Sequence, residues 1–153
     1  MTPNKIILSN KNKKVIIDIR ALNETEVYYM YPEIFKHIFG YFEKCHIPEI
    51  VDVAEYKNSI IGFASGRLYN KDTWYAQFGG VYDKYRSIGL AEKLWKTHFK
   101  RIENLYDIKY ITLRTENTNI PAFYMNIKTG FIPVGMSVSN GKMYIQWNKK
   151  VGI

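Results

Sequence analysis

Near the middle of the chain the spacing of the apolar residues changes, and that change limits the folds open to it. Residues 74–81, WYAQFGGV, have the content of a strand. From Gly89 to Leu105 the apolar positions Ala91, Leu94, Trp95, Ile102 and Leu105 recur at helical spacing, with Lys and Glu between them. Residues 109–114, KYITLR, read as a strand again. Strand, helix and strand in that order make a crossover unit, so the two strands are expected to lie parallel.

The rest of the chain supplies a meander before this unit and a hairpin after it. Residues 14–20, KVIIDIR, read as a first strand, and residues 24–43 as one or two helices, with Pro32 breaking them or starting the second and Gly40 marking an end. Residues 49–56 and 60–69 alternate as strands and lead through the short turns 57–59 and 70–72 into 74–81, an antiparallel meander. Residues 120–129 read as a short helix ended by Gly130, and residues 131–138 and 142–148 pair around Ser139-Asn140-Gly141. The expected class is α+β: a central mixed β-sheet of about six to seven strands, mostly antiparallel with one parallel pair splayed at Gly79-Gly80, and helices on both faces. All 153 residues suit a single domain, with residues 1–13 a polar, partly flexible start.

Composition narrows the function. Lys and Arg number 22 against 14 Asp and Glu, a formal charge of +8 that favours an anionic partner or simply a solvated basic surface. Charge alone admits nucleic acid, but no basic helix with interleaved aromatics and no nucleic-acid motif accompanies it. One cysteine, Cys45, excludes an intrachain disulfide and a Cys-based zinc site, and His37, His46 and His98 lack metal-ligand spacing, so no metal is expected. The polar start and the lack of an apolar run near ~18 residues point to a cytoplasmic protein without a membrane segment, and either a monomer or a homodimer is expected.

The chemistry concentrates in residues 78–95, FGGVYDKYRSIGLAEKLW. A strand ends at Val81, a turn holds Arg86, Ser87, Ile88 and Gly89, and a helix follows with Leu90 and Ala91. Backbone N–H groups at a helix start have no intrahelical partners, and with the positive end of the helix dipole they attract anions. Gly89 lets a bulky phosphate approach, and Arg86 adds positive charge. The same residues also describe an ordinary helix start.

VYDKYRSIGLA resembles the signature of the GNAT superfamily of acetyl-coenzyme A-dependent N-acetyltransferases: a strand-end Val, an aromatic, then Arg-Gly-x-Gly-x-Ala or a variant, here Val81, Tyr85, Arg86, Ser87, Ile88, Gly89, Leu90 and Ala91. Ser87 stands where the first glycine is usual, a replacement that suits the turn provided positive φ is not needed there. NIPAFYMNIKTGF, residues 119–131, is similar to the later family motif through Asn119, Ala122, Met125, Gly130 and Phe131. The resemblance spans roughly residues 49–148. It implies that acetyl-CoA is the cosubstrate, that the amides of residues 86–91 hold its pyrophosphate, and that the Val81 amide holds the thioester carbonyl. Gly79, Asn119 and Asn126 join the implied cofactor contacts, and an amine-bearing acceptor is the implied partner.

The catalytic groups are less clear in the sequence. Asn126 occupies the slot where many relatives have a tyrosine that protonates the departing thiolate. An asparagine can donate a hydrogen bond there but cannot supply a proton at neutral pH. Tyr124 is the nearest phenol, about 200° away around the helix. Asp83, Glu55 and Glu116 are the carboxylates near the expected cleft strands, and Tyr75 and Gln77 lie on the strand leading to Val81, where acceptor contacts often fall in this family. Cys45 is remote from both motifs, so direct transfer without an acyl-enzyme is the expected mechanism. The alternative left by Asn126 is a non-catalytic acyl-CoA-binding regulator on the same fold.

Overall fold

The computed structural model describes residues 4–10, 13–42 and 47–152; Cys45 and His46 lie outside the described residues. Among the described residues eight strands form one hydrogen-bonded sheet in the order β1-β2-β3-β4-β5-β6-β8-β7. In chain order these are β1 (Asn4–Asn10), β2 (Lys13–Ala21), β3 (Ile50–Tyr56), β4 (Ser59–Asn70), β5 (Thr73–Val81), β6 (Tyr110–Glu116), β7 (Ile132–Ser139) and β8 (Lys142–Lys150). The helices are α1 (Glu24–Phe39), α2 (Leu90–Leu105) and α3 (Ile120–Lys128). The β5–β6 pair is parallel, and the pairs β1–β2, β2–β3, β3–β4, β6–β8 and β7–β8 are antiparallel. The class is therefore the expected mixed α+β, with one strand more than the sequence suggested. The extra strand is β1, whose Ile6 and Leu8 are flanked by too few apolar neighbours to declare it alone; pairing along β2 makes it a strand. Among the described residues no helix is long and apolar enough to cross a membrane.

The chain forms two compact units. The first comprises Met1–Gly66 and Phe78–Arg101. Its part of the sheet has a core on each face. On one, Ile17, Ile19, Ala54, Ile61 and Ala64 pack with Val81 and with Leu90 and Leu94 of α2. On the other, Val51, Val53 and Phe63 pack with Val27, Tyr31, Ile34 and Phe35 of α1.

Helix α1 starts where Asn23 accepts from the Glu26 amide while Glu26 accepts from the Asn23 amide, a reciprocal cap. It ends at Gly40, whose φ of 80° is left-handed and whose N–H bonds the Lys36 carbonyl. Pro32 lies inside the helix and does not divide it, contrary to the expected break. An interior proline costs about 3 kcal/mol. Tyr31, Ile34 and Phe35 are each at most 5% exposed, and burying each such side chain returns about 1.5–3 kcal/mol, which outweighs that cost.

The second unit comprises Arg67–Gln77 and Ile102–Ile153. Its core is aromatic: Trp147 of β8 is fully buried and meets the Phe123 ring of α3 at 4.9 Å, and buried Trp74 lies 5.5 Å from Tyr106. The final hairpin turns at Asn140 and Gly141, with φ of 51° and 74°, as an Asn-Gly turn requires. Its second strand, not its first, takes the inner place beside β6. Trp147 explains the choice, since β7 carries exposed apolar residues (Ile132, Val134, Met136, Val138) and no comparable anchor.

Candidate active site

The turn between β5 and α2 lies wholly in the first unit. Val81 is buried in its core, and the Tyr82 amide bonds the Ile61 carbonyl at 2.8 Å. A single 3-10 turn, Asp83–Tyr85, follows. Arg86 then reaches back: its Nε donates to the Val81 carbonyl at 3.0 Å, and its guanidinium pairs with Asp83. Ser87 and Gly89 both have positive φ, 65° and 82°. Leu90 is buried on the core, with Ile88 and Ala91 packed beside it. The first helical bond of α2 runs from the Lys93 amide to the Gly89 carbonyl at 3.3 Å, so the amides of Leu90 and Ala91 precede it. A side chain at Gly89 would meet nothing within 4 Å. The turn is thus fastened underneath by Leu90 and Arg86 and open above.

Ser87 corrects one expectation. The sequence allows serine at this place provided the turn needs no positive φ, and the turn does need it. Ser87 holds a left-handed conformation that glycine adopts freely and other residues adopt at a cost of roughly 1–2 kcal/mol. Ser87 is exposed, so nothing packed on its side chain repays that cost.

Gly79 and Gly80 are explained by packing. A Cβ on Gly79 would run into the Trp95 ring of α2, and one on Gly80 would come within 2.7 Å of Ile38 of α1. The two glycines let both helices approach the strand closely. The parallel ladder covers only Thr73↔Tyr110, Trp74↔Ile111 and Tyr75↔Thr112, and so ends earlier than the parting expected at Gly79-Gly80.

In the second unit α3 presents Asn126 inward. The residue is 3% exposed, the one fully buried position of the helix, and its Nδ2 has no hydrogen-bond partner among the described residues. Ala122, Met125 and Thr129, the expected inner face, are only partly buried. Tyr124 points away and is 69% exposed. Asn119 caps α3, its side chain accepting from the Ala122 amide at 3.3 Å. Gln77 has a buried Oε1 without a partner among the described residues.

The candidate bases are engaged. Asp83 pairs with Arg86 and is largely exposed. Glu55 pairs with Arg20, which also grips Glu26 at 2.8 Å. That bond, with the Asn23 amide, holds the Glu26 carboxyl below its ordinary value. Glu116 lies 3.6 Å from Lys142. His98 is fully buried, its Nδ1 2.8 Å from Oδ2 of Asp52, while Arg101 donates to Oδ1 of the same carboxylate at 2.8 Å. This is a satisfied core histidine, and Asp52 is the partner that the sequence did not reveal.

Sequence reading also misses a cleft of about 530 Å³ on the second unit. Tyr75 lies on its wall, as does Arg114, which no motif marks. The signal available in sequence is the alternation of KYITLR, which puts Thr112 and Arg114 opposite buried Ile111.

Comparison with known proteins agrees with this fold. The profile of the acetyltransferase (GNAT) family matches residues 16–131, most of the chain. The chain therefore belongs to the acetyltransferase (GNAT) family. It has no match among curated protein sequences. Among solved structures it is similar to a GNAT family acetyltransferase from Elizabethkingia anophelis with acetyl-CoA bound (TM-score 0.70, 18% identity, 88% of this chain and 98% of that one). It is also similar to Ard1 from Thermoplasma volcanium (0.74, 18%, 90% and 99%). A third likeness is to the ribosomal-protein-S18-alanine N-acetyltransferase from Escherichia coli (0.74, 13%, 90% and 95%). At these identities the likeness is one of fold.

Proposed function

We infer that this chain is an N-acetyltransferase that moves the acetyl group of acetyl-CoA directly onto a primary amine, its two compact units acting as one domain. The observation that carries the reading is the β5–α2 turn. Left-handed φ at Ser87 and Gly89 opens the backbone toward solvent immediately before the α2 amides, over a base fixed by Arg86 and Leu90. Such a turn binds a pyrophosphate through N–H groups and the helix dipole. In this reading Arg86, Ser87, Ile88, Gly89, Leu90 and Ala91 hold the pyrophosphate, and Gly79, Val81 and Asn119 flank the rest of the cofactor.

The reaction needs little from side chains. The neutral amine attacks the thioester carbonyl, a C–N bond forms, the C–S bond breaks, and coenzyme A leaves as thiolate. The Val81 amide stabilises the oxyanion, and positioning supplies much of the rate. Asn126 offers its unspent Nδ2–H donor to the thiolate. A thiolate with pKa near ~8.5 leaves without a protein acid, and the proton shed by the amine passes to water.

A thiol-release assay with acetyl-CoA and a panel of amines tests the reading. Amine-dependent release of coenzyme A is expected. Binding of acetyl-CoA without release by any amine would instead establish a non-catalytic acyl-CoA-binding domain. Gly89→Asn separates the cofactor site from the fold: asparagine tolerates left-handed φ better than a β-branched residue and its Cβ meets no protein atom within 4 Å, so the fold is kept while the side chain projects into the space above the turn. Acetyl-CoA affinity by calorimetry should fall by about tenfold or more in that variant, and unchanged affinity would rule out the placement.

A further inference from the structure

We propose that the cleft on the second unit holds an acid group, carboxylate or phosphate, carried by the acceptor amine, and that Arg67 and Arg114 recognise it. The inference rests on the transferase reading, because it takes the occupant to be the acceptor.

Strand register builds the floor. Tyr75 of β5 pairs with Thr112 of β6, and Thr112 with Asn148 of β8. One step along, Arg114 pairs with Gln146. The side chains of these residues line the cleft together with Arg67 of β4, while Ile111 and Trp147, of opposite alternation, are buried. The lining therefore carries two guanidinium groups, and among the described residues it carries no carboxylate.

The two cations are held but not neutralised. Arg67 lies 5.9 Å from the Tyr75 ring centroid, and its buried Nε has no hydrogen-bond partner among the described residues. Arg114 lies 4.5 Å from the Tyr144 ring centroid. A ring face steadies a guanidinium while leaving its edge donors unspent. A buried N–H without an acceptor is costly, and an oxyanion entering the cleft supplies the acceptor in charge-assisted form. Thr112, Gln146 and Asn148 add neutral polar groups that orient the ligand. A volume of this size suits a small molecule. A polyamine brings only positive charge to the same wall and is disfavoured by it.

The test compares matched amines in the thiol-release assay and in direct calorimetry. The ω-amino acids from glycine to 5-aminopentanoate are set against their amides, and phosphoethanolamine against ethanolamine. An acid should exceed its uncharged partner in kcat/KM by about tenfold or more, in line with charge-assisted bonds to Arg67 and to the more exposed Arg114; which pair shows the gap identifies carboxylate or phosphate. Arg67→Gln and Arg114→Gln should each reduce that preference at least about tenfold with KM for acetyl-CoA unchanged. Arg67→Lys, which keeps the charge but not the fork, should retain only part of it. Equal use of acids and their uncharged partners by the native chain would overturn the assignment while leaving the transferase reading intact. If no amine releases thiol, calorimetry decides alone. Acid binding that Arg67→Gln abolishes would uphold the cleft and overturn the transferase reading, and no acid binding would overturn the cleft.

Discussion

The guanidinium of Arg86 donates from Nε to the main-chain carbonyl of Val81, 3.0 Å away, so the residue expected to meet a phosphate also ties the end of β5 to the turn. Lysine cannot copy this, because its single ammonium is not a fork. Arg86→Lys should therefore raise KM for acetyl-CoA by about tenfold despite keeping the charge, the size of one hydrogen bond at ~1.4 kcal/mol. Steady-state kinetics at saturating amine reads this directly. An unchanged KM would mean that only the charge of Arg86 matters.

Ser87 offers a gain. Ser87→Gly removes the left-handed penalty at the cost of extra unfolded-state entropy, leaving a net stabilisation of about 0.5–1 kcal/mol. For a chain of this size the melting temperature should rise by roughly 1–4 °C. A lower melting temperature would show that the Ser87 side chain contributes more than its exposure suggests.

Asn126 is buried with an unused donor, so truncating it exposes two separable effects. Asn126→Ala removes a poorly satisfied amide and should leave thermal stability within about 1 kcal/mol of the native chain. The transfer rate should fall about tenfold if Nδ2 orients the thiolate. A fall of several orders of magnitude would assign Asn126 a larger role than a hydrogen-bond donor.

Tyr124 stands on the opposite side of α3 and is largely exposed. Tyr124→Phe should leave both rate and stability unchanged. A loss of about 10²-fold, with disappearance of the high-pH limb of the rate profile, would make its hydroxyl the general acid.

Glu26 links stability to pH. Arg20 and the Asn23 amide hold its carboxyl below the ordinary value of 4.5, so the folded chain keeps the charged form longer than the unfolded chain does. A lowered pKa stabilises fully above the unfolded value, and the contribution disappears as pH falls through the folded one. Glu26→Gln should lower the melting temperature at pH 7, and the difference should shrink below about pH 4. A constant difference across that window would show that the loss lies in the cap geometry and not in the charge.

Local chemistry made much of this fold legible. Gly40 ends α1 and Asn140-Gly141 turns the last hairpin because each needs left-handed φ, which few residues provide. The strand-to-helix turn after Val81 was readable for the same reason, but its conformation at Ser87 was not, since serine carries no sign of positive φ. Pro32 misleads because burial across the helix outweighs its own backbone cost. The inner position of β8 depends on Trp147 finding a core that no local window contains. Arg67, Tyr75 and Arg114 are scattered over 48 residues, and only strand register brings them to one wall.

The carboxylate of Asp52 on β3 accepts from His98 and Arg101, both on α2, a helix whose Leu90 and Leu94 pack in an apolar core. Greasy surfaces tolerate a helix that slips or rolls by some degrees, because contact area changes little. Two directional bonds from successive turns do not tolerate it. They clock α2 about its own axis, and the aim of its leading amides is thereby set about two turns away from the amides themselves.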